Sequence, residues 1–243
     1  MCADLIPARL ELTTVDSTNA EAFRQAPELR GPLWILAAEQ SAGRGRRARE
    51  WVSPPGNFYA SLVQKIDEPP VLLGLRSFTT ALALYDAFSA LTGLSPAFAL
   101  KWPNDVLLNG GKLTGILLEA QGPCLVIGIG VNLIGAPPPA RVEPGAVPPV
   151  SLLGETGLRI TPAHFLDALA PAMSEWEGRF RHEGFAPLRK AWLARAARLG
   201  ERIIARTGTL SREGTFETID DQGNLMLREA HGLTAIPAAE VFF

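Results

Sequence analysis

Ser41-Ala42-Gly43-Arg44-Gly45-Arg46-Arg47-Ala48-Arg49-Glu50-Trp51 carries four arginines within six residues, with two glycines among them and a closing aromatic. Neither a helical nor an alternating apolar period passes through it, so it reads as a loop. Glycines let backbone N–H groups approach an anion, guanidinium forks match phosphate oxygens, and an indole face can stack on a base. That is the chemistry of a nucleotide phosphate site, although a solvated basic loop has the same composition. Outward from it, the apolar run Leu33 to Ala38 delivers the chain into the loop with Glu39 and Gln40 at its mouth. Phe58 to Val63 is the strand that leaves it.

Upstream, Arg9 to Thr14 alternates as a strand, and Val15-Asp16-Ser17-Thr18-Asn19 supplies cap residues for a short helix ending near Pro27. Downstream, Leu75, Phe78, Leu82, Tyr85, Phe88 and Leu91 recur at helical spacing, and Gly93 is placed to end that helix. Ala97 to Trp102 is a strand stopped by Pro103-Asn104-Asp105. Val106 to Leu108 and Leu113 to Glu119 flank Asn109-Gly110-Gly111, a hairpin signal. Leu125 to Leu133 is an apolar strand whose glycines, Gly128 and Gly130, mark close approach of a ligand or another backbone. Residues 135 to 150 are Pro-rich and read as an irregular surface connection. Thr161-Pro162 starts a helix with a stripe from Phe165 to Phe180 and a kink expected at Pro171, and a second helix is expected from Ala186 to Leu199. Beyond Gly200 come short strands: Arg202 to Arg206, Thr209 to Ile219, Leu225 to Leu227 and Leu233 to Ile236. The division expected is 1–199 and 200–243.

At 243 residues, 47% apolar and 20% charged, the chain can bury a real core. Its formal net charge of −2 makes the arginine cluster a local feature and argues against general nucleic-acid binding. Cys2 and Cys124 are far apart and outside metal-ligand spacing, which indicates neither a disulfide framework nor structural zinc. No basic leader opens the chain, and no apolar run reads as membrane-spanning. A cytoplasmic protein without a membrane partner is the expectation.

Three further stretches matter beside the loop. Lys101-Trp102-Pro103-Asn104-Asp105 displays a lysine at a strand end, where a carboxylate or phosphate is a natural partner. Gly111-Lys112-Leu113-Thr114-Gly115 puts another lysine beside a tight turn, and Gly128-Ile129-Gly130-Val131-Asn132 ends a strand. Singly, a strand-end lysine is usually only solvated.

In this order, with Asp16-Ser17-Thr18-Asn19 ahead of them, these motifs resemble the catalytic module of the biotin protein ligases over most of the chain. The resemblance implies an α+β fold: a mixed β-sheet with helices, akin to class II aminoacyl-tRNA synthetases, then a small SH3-like β-barrel. It implies that ATP and biotin, with Mg2+ carried by ATP and no metal held by protein ligands, give biotinyl-5′-AMP and pyrophosphate. A lysine of a biotin carboxyl carrier protein then takes the biotinyl group. By the same resemblance Lys101, Arg44 and Arg46 are catalytic. Ser17, Thr18, Gln40, Gly43, Gly115, Gly128 and Gly130, with the same arginines and Lys101, contact biotin. Arg46, Arg47, Trp51, Lys101, Asn104, Lys112 and Asn132 contact the nucleotide.

Where the family commonly reads Gly the chain has Ala48, so a left-handed conformation there would cost about 1 kcal/mol. With no helix-turn-helix ahead of the module, a ligase without a repressor function and without DNA as partner is expected; a homodimer stays open. Lipoate or octanoate ligases and transferases share the broad fold, but the Arg-Gly segment with Trp51 and the Lys101 motif favour biotin. A nucleic-acid-binding module is the alternative of another class, and the near-neutral charge counts against it. Arg44, Arg46, Arg47 and Arg49 repel one another and bury little apolar surface, so the loop is expected to move until an anionic ligand orders it as a lid.

Overall fold

The computed structural model describes residues 7–138, 145–207, 210–237 and 239–242. In chain order these form β1 (Ala8–Val15), α1 (Thr18–Gln25), β2 (Leu33–Gln40), β3 (Phe58–Lys65), α2 (Pro70–Thr92), β4 (Phe98–Lys101) and β5 (Asp105–Leu108). Then follow β6 (Gly111–Lys112), β7 (Thr114–Gln121), β8 (Cys124–Val131), α3 (Leu152–Thr156), α4 (Pro162–Glu183) and α5 (Phe185–Leu193). The chain closes with β9 (Arg202–Thr207), β10 (Leu210–Ile219), β11 (Leu225–Glu229), β12 (Gly232–Ile236) and β13 (Glu240–Phe242).

The main sheet has the order β1-β2-β3-β8-β7. It is mixed, because β1 lies parallel to β2 while the other pairs are antiparallel. A parallel pair needs a crossover, and α1 supplies it. The mostly apolar, buried runs on β3 and β8 follow from helices covering them: Phe58 of β3 meets Phe165 of α4 edge to face at 4.9 Å, and Phe165 in turn meets Phe88 of α2. Beyond residue 200, β12-β11-β10-β9-β13 form a five-stranded antiparallel sheet with β12 and β13 at its edges, where a small barrel was expected. One apolar core runs through both parts: Trp192 of α5 touches Phe78 and Phe216, and the Trp102 indole N–H donates to the Gly223 carbonyl at 3.0 Å.

The helix expected around Leu75 spans Pro70–Thr92 and ends at Gly93 in a left-handed conformation (φ 70°). Contrary to the sequence reading, α2 is long and apolar enough by composition to cross a membrane. It is instead a core helix against α4 and α5, and it carries the buried Arg76. Burial opposes that guanidinium's charge, yet hydrogen bonds to Glu68 and the charge of Glu177 outweigh it and hold it above the ordinary arginine range.

Two expectations need correction. The turn at Asn109-Gly110 (φ 50° and 81°) pairs β5 with the two-residue β6, while the run after Leu113 leaves to become β7 of the main sheet. The last helix stops at Leu193 and not near Leu199, because its following backbone pairs with β4: Leu100 donates to Arg195 and accepts from Ala197, each at 2.8 Å. Pro171, where a kink was expected, lies inside α4. α3, capped by Ser151 and closed by Gly157, and β13 were not anticipated. Cys124 is buried, and Cys2 and Thr209 lie outside the described residues, as does the 139–144 part of the Pro-rich connection.

Candidate active site

Loop 41–53, the start of α1, the facing ends of β7 and β8, the Lys101 turn and β13 enclose a cavity of ≈260 Å3. Its floor exists because of three glycines. A Cβ on Gly130 would lie 2.4 Å from the Trp51 ring, one on Gly115 2.9 Å from it, and one on Gly128 2.2 Å from Asn19 Oδ1. Gly115 and Gly130 are register partners, so the indole lies across both strands at one level. Trp51 is therefore part of the cavity wall, half-buried, with its indole N–H unpartnered among the described residues.

At one end a polar cluster is fixed through the start of α1. Ser17 occupies the N-cap position but makes no side-chain cap bond. Thr18 donates instead to Gln40 Oε1 from its backbone N–H (2.8 Å) and its hydroxyl (3.1 Å). Gln40 Nε2 donates to Ser53 Oγ at 3.1 Å, so the amide's two ends are assigned and its orientation set. Ser61 donates to Asn19 Oδ1 at 2.6 Å, and Asn19 Nδ2 donates to Glu119 at 2.7 Å. Simple N-capping is thus not what Ser-Thr-Asn does here.

The other end is cationic. Lys101 is 11% exposed at the end of β4, with Asp105 Oδ2 3.9 Å from its ammonium, and Lys112 Nζ lies 2.8 Å from Asp105 Oδ1. Burial pushes the Lys101 ammonium below the ordinary lysine range; Asp105 opposes that, and Lys112 and Arg46 add to it. Arg46 is likewise lowered, chiefly by burial, and donates to Asn104 Oδ1 at 3.3 Å. Asn104 is itself anchored on the Ile116 carbonyl at 2.7 Å. A buried carboxylate shared by two lysines keeps both ammonium groups in place without supplying a free nucleophile.

The arginine loop is a closed hairpin. Gly45 donates to the Arg49 carbonyl at 2.7 Å and Trp51 to the Gly43 carbonyl at 2.9 Å. Arg47 takes a left-handed conformation (φ 57°) in this hairpin. The arginines, expected to repel one another, have partners from other parts of the chain. Arg44 lies 3.5 Å from Glu119, Arg46 meets Asn104, and Arg47 and Arg49 both pair with Glu240 of β13, Arg47 at 3.0 Å.

Of the residues singled out in the sequence, Ser17, Thr18, Gln40, Arg44, Arg46, Trp51, Lys101, Asn104, Lys112, Gly115, Gly128, Gly130 and Asn132 all line this cavity. Gly43 and Arg47 do not. Gly43 is packed behind it, where a Cβ would meet the Trp51 carbonyl at 2.5 Å, and Arg47 reaches to Glu240. Asn132 is buried and donates to the Val150 carbonyl at 3.1 Å, holding the Pro-rich connection against the site. Pro137, Ala146, Val147 and Pro149 of that connection line the cavity, so it is more than a surface link. Sequence reasoning missed Asn19, Asp105, Glu119 and Glu240 as site residues. Asn19, Asp105 and Glu119 lay within or at the end of stretches singled out in the sequence and could have been found there; Glu240 carried no local signal.

A sequence profile of the Biotin/lipoate A/B protein ligase family matches residues 10–132, and one of the Biotin protein ligase C terminal domain matches residues 199–243. A biotin–[acetyl-CoA-carboxylase] ligase of Paracoccus denitrificans is 57% identical over 237 residues, covering 96% of this chain and 99% of the relative. The enzyme of the same description from Mycobacterium tuberculosis is 32% identical over 231 residues, 92% of this chain and 84% of its own. Among solved structures, a biotin protein ligase from Aquifex aeolicus in complex with biotin and ATP superposes with a TM-score of 0.83 at 24% identity, over 96% of this chain and 97% of that one, which shows the shared fold. The chain belongs to the biotin protein ligase family.

Proposed function

We propose that this chain activates biotin with ATP and transfers the biotinyl group to a lysine of a biotin carboxyl carrier domain. The observation that carries the reading is one cavity lined by Arg46, Lys101 and Lys112 around Asp105 and by the Ser17–Thr18–Gln40 cluster, with Arg44 beside Glu119 and the indole of Trp51 seated on Gly115 and Gly130. In the first step a biotin carboxylate oxygen attacks the α-phosphorus, and the bond to pyrophosphate breaks. Two anions must approach, so the site has to cancel charge without competing as a nucleophile; guanidinium and a carboxylate-held ammonium do so. In the second step the carrier lysine's amine attacks the acyl carbon, AMP leaves and the amine's proton is lost. The oriented Gln40 amide and Thr18 hydroxyl suit the donors and acceptors of a ureido ring, and the indole of Trp51, seated on Gly115 and Gly130, forms a flat wall for a ligand. Trp51 and Asn132 are assigned to the adenine side, and Arg46, Lys101, Asn104 and Lys112 to the phosphates.

Magnesium belongs to the ATP in this reading. Among the described residues no group of three or more His, Cys, Asp or Glu could hold it, and Asp105 is already shared by two lysines. When bound, the metal would spread the charge of the phosphates. A cytoplasmic setting, with the carboxylase carrier domain as partner, is part of the same proposal.

Transfer is tested by incubating the protein with biotin, ATP, magnesium and a carrier domain and measuring the carrier's mass. One biotinyl group on one lysine is expected, and a carrier left unmodified would contradict the assignment. A second test concerns the floor. Gly130→Ala puts a methyl group into the Trp51 ring, and overpacking of this kind costs ~1–3 kcal/mol. That cost should appear as lowered thermal stability or, if the indole moves off its seat, as weakened MgATP binding in calorimetry; both unchanged would mean that the indole's seat plays no part in the pocket.

A further inference from the structure

Glu240 faces the arginine loop from a different part of the chain. It begins β13, whose partner β9 fixes it through the Glu240↔Arg206 register, and Ala239 to Phe242 contribute to the same cavity wall as Lys101 and Arg46. Its side chain is 19% exposed, and both carboxylate oxygens are engaged: Oε2 by Arg47 at 3.0 Å and Oε1 by Arg49. Burial works against its charge, but the hydrogen bond from Arg49 and the charges of Arg49, Arg47 and Arg46 outweigh it and hold the carboxyl below the usual range. The loop it grips contains like charges and one non-glycine residue in the left-handed region, Arg47. Both features work against a single closed conformation, so some other contact must select it.

We propose that Glu240 is the positioning residue of the arginine loop: its carboxylate holds Arg47 and Arg49 in the absence of ligand and yields them when an anionic ligand enters the cavity. A carboxylate that bridges two guanidinium groups presents them with the chemistry of a phosphate, which keeps the hairpin formed at no cost in lasting occupancy. The strand reaching the site from the C-terminal sheet thereby couples that sheet to loop closure. The hand-over half of the proposal rests on the ATP and biotin reading above; the ligand-free half does not.

Limited trypsinolysis of the full chain tests it, because cleavage in a loop that opens transiently tracks the open population. Two partly exposed ion pairs are at stake, so in the free protein Glu240→Gln is expected to speed cleavage between Arg44 and Arg49 by roughly two- to tenfold. Glu240→Asp, which keeps the charge on a shorter arm, should fall between. Cleavage after Lys65 and Arg159 should be unchanged. With biotin and MgATP together, the difference between variant and wild type should shrink to within about twofold, since the ligand's anionic groups replace the missing carboxylate. Equal loop cleavage of variant and wild type without ligand would overturn the proposal. So would an equal rise at Lys65 and Arg159, which marks general loosening, or a difference that persists undiminished at saturating ligand. Pyrophosphate exchange by the wild-type protein in the same preparation separates the two readings: if it is absent, the ligase assignment fails while the ligand-free comparison still decides the role of Glu240.

Discussion

Lys101→Ala is expected to slow adenylate formation by ~10² to 10³ while leaving the fold intact, the usual effect of removing a dedicated electrostatic group from a preorganised site. The residue ends β4, is 11% exposed, and sits with Asp105 and Lys112 at the cationic end of the cavity. A surface lysine would cost almost nothing to remove. Burial holds its ammonium below the ordinary lysine range, so as pH rises through that lowered value the charge is lost and the rate should fall at a lower pH than for an ordinary lysine. Lys101→Arg keeps its charge at high pH and should move that alkaline limb upward, whatever it loses in geometry. Single-turnover rates of Lys101→Ala within a factor of two of wild type would contradict the assignment.

Arg76→Ala is expected to cost ~3 to 5 kcal/mol of stability without touching the chemistry. Arg76 is fully buried on α2, donates to Glu68 at 2.8 Å and to Glu177 at 2.9 Å, and lies 5.0 Å from the Phe180 ring. Removing it leaves two partly exposed carboxylates, Glu68 and Glu177, without their shared cation and a cavity between α2 and α4. Urea unfolding should show the loss as a lower midpoint, with the folded fraction still carrying out adenylation. A loss below about 1 kcal/mol would mean that the carboxylates relax into water and that the triad does not hold the helices together.

The arginine loop and the Lys101, Lys112 and Gly128–Gly130 motifs were legible because each packs its chemistry into a few consecutive residues. The strands β2, β3 and β8 were legible for a similar reason, their apolar runs being compact and bounded by turn residues, whereas their arrangement in a mixed sheet was implied only by the resemblance to the biotin protein ligases. What was not legible depends on pairing at a distance. Glu240 stands alone in Ala239-Glu240-Val241-Phe242, and only the fold brings it to arginines nearly two hundred positions earlier. Glu119 looks like an ordinary strand-end acid until Asn19 and Arg44 are placed beside it. The helix ending at Leu193 could not be bounded from its own residues, since what stops it is pairing of the following backbone with Leu100. Charge repulsion among the four arginines was read correctly as a local force, but their carboxylate and amide partners lay elsewhere in the chain.

The account rests on one claim, that this cavity joins biotin to the α-phosphate of ATP, and exchange of labelled pyrophosphate into ATP measures that step without any carrier protein. The purified chain should catalyse exchange that depends on biotin and is not supported by lipoate. Exchange that ignores biotin, or that lipoate supports equally well, would contradict it.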